Sequence, residues 1–239
     1  MRHKQAGFTL IEVLISISLL GLLSTGMLMS ISIALNSQEK ANNKLMENRR
    51  VMGGQRALEE ELNNFMPEMA LYGAGRKVPF FDGEPETLRF VSSYSLNQAH
   101  RGLPQLLEFA VVSGDTGGFR LIVNEWPYRG SALAGEFIAG VEPGEDGQPH
   151  ALFGPVAIGR NSFVLADRLA SCKLAYLEYV TASKQWFWRP DWPLRQWPSA
   201  IRIEMVPLDG TGAKLHPMTV TAEVHAARNM DIEYKDGPK

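Results

Sequence analysis

Gly7-Phe8-Thr9-Leu10-Ile11-Glu12-Val13-Leu14 opens the long apolar run of this 239-residue chain and sets one carboxylate near its start. From Val13 to Gln38 the sequence carries no charge. The stretch from Phe8 to about Met29 is roughly 22 residues, or ~33 Å as helix, enough to cross the hydrocarbon core of a bilayer. A removable signal peptide has a shorter apolar region closed by a small-residue cleavage site. Here Ser24, Gly26 and Ser30 are scattered and no Ala-x-Ala follows. The segment is therefore expected to span a membrane once and to stay. Arg2 and Lys4 set its amino end on the cytoplasmic side. Glu12 is the anomaly, because a carboxylate inside a span costs about 3 kcal/mol on insertion scales and less near an end. Either it lies close enough to the interface to reach water, or it has a dedicated partner.

These residues resemble the class III signal of type IV pilins and of type II secretion pseudopilins. Cleavage site, aromatic, Glu and uninterrupted span occur in register, with Ala6 standing where many members carry a basic residue. The resemblance implies that a prepilin peptidase cuts between Gly7 and Phe8 and methylates the new amino terminus on Phe8. It also implies that Glu12 neutralises the amino terminus of a neighbouring subunit during assembly. The expected location is the bacterial inner membrane, with the globular part in the periplasm.

Past Asn36 the sequence turns polar but keeps a helical period. Ala41, Leu45, Met52, Leu58, Leu62 and Phe65 fall on one stripe. Lys40, Lys44, Arg49, Arg50, Arg56, Glu59, Glu60 and Glu61 are read as the charged surface. The spacing predicts one long helix that leaves the membrane and continues onto the domain. Gly53-Gly54 invites a local bend and Pro67 ends the helix. The organisation expected is a leader over 1–7, a transmembrane helix over 8–35, an amphipathic extension over 36–66 and a β-rich domain over 67–239.

In that domain Tyr72-Gly73-Ala74-Gly75-Arg76-Lys77 reads as a loop, because it lacks the spacing of a phosphate-binding motif. Strand-like runs follow at 88–91, 106–112 and 119–123, the last two joined by Gly114-Asp115-Thr116-Gly117-Gly118. Residues 142–150 read as an exposed acidic loop. Further strands are expected at 170–180, 200–206 and 218–226, with a turn at 209–212, forming an antiparallel meander. The fold class is α+β, a long amino-terminal helix packed on an antiparallel sheet.

Trp186, Trp188, Trp192 and Trp197 lie within about one hairpin. Such a cluster serves either a core or a contact surface for glycan or protein. The order of a Leu-rich strand, a Tyr, and then Trp197-Pro198-Ser199-Ala200-Ile201-Arg202-Ile203-Glu204-Met205 resembles the J-type minor pseudopilins. So does Gln55-Arg56-Ala57-Leu58-Glu59-Glu60-Glu61-Leu62, while Trp197 stands where that pattern has Leu. This likeness implies a subunit at the tip of a periplasmic pseudopilus. Its implied partners are the I-type and K-type subunits, the major pseudopilin, inner-membrane lipid and secreted cargo. A minor pilin of a type IV pilus or DNA-uptake system shares the same amino end. A membrane-tethered binding module is the third reading.

The remaining composition excludes several classes. A net charge of −2 gives no basic face for nucleic acid. Cys172 is the only cysteine, so no intramolecular disulfide forms, and it is expected to be a small buried hydrophobe. The five histidines show no paired ligand spacing, no nucleophile elbow is present, and Glu142, Glu145 and Asp146 match no calcium loop. No catalytic residue, metal or cofactor is expected.

Overall fold

The computed structural model describes residues 9–96, 98, 100–115, 117–159, 162–208 and 217–225, with side chains at 43–52 and 100 excepted. In chain order the elements are α1 (Leu10–Asn63), β1 (Phe65–Met66), β2 (Met69–Tyr72), β3 (Arg76–Pro79), β4 (Asp82–Gly83), β5 (Thr87–Ser95), β6 (His100–Ser113) and β7 (Phe119–Pro127). They continue with α2 (Ser131–Ala134), β8 (Ile138–Pro143), β9 (Pro149–Phe153), β10 (Ser162–Val180), β11 (Gln185–Arg189), β12 (Ala200–Pro207) and β13 (Met218–Glu223). The chain divides into two compact units, Met1–Arg50 and Val51–Lys239.

The first unit is helical from Leu10 onward. Within it the segment Leu10–Asn42 has a mean hydropathy of 2.0 and buries none of its apolar window. The apolar side chains of that segment therefore need a solvent other than water or a partner outside the chain.

The second unit is built on a nine-stranded antiparallel sheet in the order β1-β5-β6-β7-β10-β12-β13, with β4 also on β5 and β11 also on β10. The last turns of α1 supply Leu58 and Leu62, both buried, to the face of the sheet that carries Phe90, Leu107, Phe109 and Val123. Burying each leucine is worth on the order of 2 kcal/mol. The helix ends at Asn63, short of the expected boundary at 66. Asn64 turns the chain, and Phe65 and Met66 at once pair with Ser92 and Val91 of β5. Phe65 thus belongs to the sheet rather than to the helical stripe. Leu45 and Met52, also assigned to that stripe, have side chains outside the described residues, and Ala41 is exposed.

The other face of β5 and β6 is covered too. Val91 and Leu106 stand opposite each other there and pack with Val78, Phe80, Ala134 and Ile138 from the β2–β3 hairpin, α2 and β8. Burial on both faces explains the unbroken apolar run Leu106-Leu107. Tyr72 and Arg76–Lys77, expected in a loop, are strand residues. Only Gly73–Gly75 turn, with φ of +58° at Gly73 and +90° at Gly75, where glycine alone avoids Cβ strain.

Strand β10 is the spine. It has 19 residues, well beyond the 170–180 expected. Leu169 pairs with Phe119 of β7 on one edge and Pro207 of β12 on the other. Farther along, Tyr176 pairs with Arg189 of β11 and with Ile201 of β12. One edge of β10 is therefore shared between β7 and β11, and the other belongs to β12. The expected turn at 209–212 and the end of the last strand at Ala226 lie outside the described residues.

Candidate functional site

Thr9 and Glu12 form a closed local unit at the start of α1. The Glu12 Oε2 accepts from the Thr9 backbone N–H and from the Thr9 hydroxyl, both at 2.9 Å. The Glu12 N–H donates to the Thr9 carbonyl at 3.1 Å. Thr9 occupies the N-cap and Glu12 the third helical position, the arrangement of a capping box. A carboxylate here also sits at the positive end of the helix dipole. Local geometry thus explains how the chain carries Glu12 at the edge of an apolar span. Gly7 and Phe8, the expected processing residues, lie outside the described residues. Ser16, Ser18 and Thr25 donate their hydroxyls to carbonyls of the preceding turn.

Residues 2–28 match the prokaryotic N-terminal methylation motif. The motif supports a type IV pilin-like protein, either pilin or pseudopilin, and with it processing by a prepilin peptidase and assembly with other pilins. It indicates a structural protein, and the unburied apolar helix behind it fits a single-pass membrane anchor. With its antiparallel sheet domain the chain has a pilin-like α+β arrangement. A search of curated proteins finds no match to the chain.

The four clustered tryptophans separate in space. Trp192 is 2% exposed and donates its Nε1–H to the Gln196 carbonyl at 2.6 Å. A Cβ on Gly83 would stand 2.7 Å from the Trp192 Cβ, so that glycine is required by the close approach of the indole. Trp197 is half-buried and packs edge-on against Phe65 and Phe81 at 5.6 and 6.2 Å between centroids. These two belong to the core, and Trp192 in particular offers no contact surface. Trp188 is half-buried under the Arg202 guanidinium, 3.7 Å from its ring centroid. Trp186 alone is strongly exposed, at 57%, and lies opposite Tyr179 with the rings 4.8 Å apart.

The structure adds a buried polar row that the sequence reading missed. Asp82, Arg89, Glu108, Asn124 and Ser162 stand directly opposite one another across β4, β5, β6, β7 and β10. Arg89 pairs with Asp82 and donates its Nε–H to Glu108 at 2.9 Å and an Nη2–H to the Gly154 carbonyl. Trp126 Nε1 donates to the second oxygen of Glu108 at 3.1 Å, and Asn124 Nδ2 to the Ala157 carbonyl at 2.8 Å. Burial pushes the Asp82 carboxyl up to about 6, against the pull of Arg89. The row is hydrogen-bonded along its whole length and straps residues 154–159 to the sheet.

Three other candidates resolve locally. The acidic turn is tighter than expected, since residues 138–143 and 149–153 are strands. Glu145 pairs with Arg189 at 2.9 Å, and Asp146 accepts from the backbone N–H groups of Gln148 and Arg195. Among the described residues no group of three or more metal-ligating side chains forms. Cys172 is buried, and burial pushes its thiol up to about 12. Glu61, assigned to the charged surface, is instead 0% exposed.

Proposed function

We propose that the chain is a J-type minor pseudopilin, a structural subunit at the tip of the periplasmic pseudopilus of a type II secretion system. The observation that carries the reading is the Thr9–Glu12 capping box at the head of an unburied apolar helix. It keeps a carboxylate presentable at the edge of the membrane segment, where a neighbour's positive amino terminus can replace its local donors. The amino end lies in the cytoplasm and residues 67–239 in the periplasm. Phe8 is the methylated first residue after cleavage behind Gly7. The span bundles with those of the I-type, K-type and major pseudopilins, and the sheet domain docks on them or on secreted cargo. The subtype rests on Gln55–Leu62 and on the Trp197-Pro198 entry into β12.

Deletion of the gene tests the machine served. Loss of exoprotein secretion with twitching and DNA uptake intact is the expected result. Loss of twitching or DNA uptake with secretion intact would reassign the chain to a pilus.

A further inference from the structure

Glu61 is the one buried charge-bearing side chain of the helix end that the assembly role leaves unexplained. It sits between Leu58 and Leu62 and has no exposed surface. Among the described residues neither carboxylate oxygen makes a hydrogen bond of good geometry. The Ser92 hydroxyl is turned instead to the Glu61 backbone carbonyl, at 3.2 Å. A buried carboxylate without partners costs several kcal/mol if charged and far less if protonated.

The surroundings favour the neutral form. The titratable group facing Glu61 from the sheet is another carboxylate, Glu125 of β7, which accepts from the Ser95 hydroxyl. From β5 and the turn after it come Ser92 and the Leu96 backbone, which favour the anion. On its own helix the neighbouring Glu60 is engaged with Asn64. Burial outweighs these contacts and pushes the Glu61 carboxyl up to about 8, with the Glu125 charge adding to the rise. No described cation faces it.

We propose that Glu61 is held as a neutral acid beneath the last turn of α1, making the joint between that turn and the β5–β7 sheet a proton-dependent latch. The proton stays on Glu61 while the helix end is docked and leaves when the joint opens to water. The sign follows from linkage. A carboxyl whose pKa is raised on folding contributes stability that is complete below about pH 4.5 and is lost as pH rises to about 8. The joint is therefore tight in acid and loosens toward mild base. The inference concerns the helix joint alone and stands whichever filament the chain serves.

The test uses the full chain in detergent micelles, with unfolding followed by tryptophan fluorescence from pH 5 to 9. The wild-type unfolding constant should rise about a hundredfold or more across that range. Glu61→Gln, which mimics the neutral acid, should remove most of the rise. Amide exchange over residues 58–63, corrected for intrinsic rate, should accelerate with pH in the wild type and not in the variant. Should Glu61→Gln fail to fold, Glu125→Gln serves in its place. It removes the neighbouring charge and should make the pH-dependent loss end at lower pH. Identical pH profiles for wild type and whichever of the two variants is measured would overturn the latch. So would a calcium-dependent rise in wild-type stability that Glu61→Gln abolishes, since a cation would then neutralise the site.

Discussion

Adjacent glycines in α1 should respond differently to the same substitution. Gly53 and Gly54 both lie within the helix, where alanine is favoured over glycine by about 1 kcal/mol. A Cβ on Gly53 meets nothing within 4 Å, so Gly53→Ala should realise that gain. A Cβ on Gly54 would stand 2.4 Å from the Leu165 carbonyl oxygen, which is backbone and cannot swing aside. Relieving the overlap requires the helix and β10 to separate by most of an ångström. Overpacking of that kind costs about 1–3 kcal/mol, so Gly54→Ala should be neutral to destabilising by about 2 kcal/mol after the propensity gain. For a domain of this size each kcal/mol moves the melting midpoint by roughly 2–4 °C. Thermal unfolding read by tryptophan fluorescence should therefore raise the midpoint for Gly53→Ala and lower it, or leave it unchanged, for Gly54→Ala. A rise of equal size in both variants would refute the close contact between α1 and β10.

Three further outcomes follow from the geometry. Arg89→Met strands Asp82 and Glu108 in the sheet and should cost about 3–5 kcal/mol. The triple change Asp82→Asn, Arg89→Met, Glu108→Gln should recover much of that loss in equilibrium denaturation. Trp192→Ala should cost about 3–5 kcal/mol as a core cavity, whereas Trp186→Ala, at an exposed position, should stay within about 0.5 kcal/mol in the same assay. Glu12→Ala should leave membrane insertion intact by carbonate extraction and abolish incorporation into filaments sheared from cells; normal incorporation would remove the pairing role.

The sequence was informative where one physical term dominated. A charge-free run longer than a bilayer core has few readings, whereas the capping of Glu12 by Thr9 emerged only from the structure. Ile201, Ile203 and Met205 alternate with Arg202 and Glu204, and the structure buries that parity. The sequence was silent where tertiary contacts reverse a local rule. Glu61 follows two other glutamates and reads as surface, yet the helix turns it under the sheet. Alternation in a strand assumes one wet face, and here β8, β9 and residues 154–159 cover the face that carries Arg89 and Glu108. The first half of β10 escaped notice because Asp167-Arg168 interrupts its apolar pattern. Arg168 has a φ of +56° and the pairing with β7 shifts register there, so an irregular strand carries polar residues that look like a loop. Among the tryptophans, spacing alone could not separate Trp192, which Gly83 admits to the core, from Trp186, which it does not.

Everything assigned to the amino end depends on where the mature chain begins. Intact-mass and fragment analysis of the protein purified from membranes measures this directly. The mature chain should start at Phe8 and carry one N-methyl group on its amino terminus. A chain that keeps Met1, or one cut beyond Glu12, would contradict it.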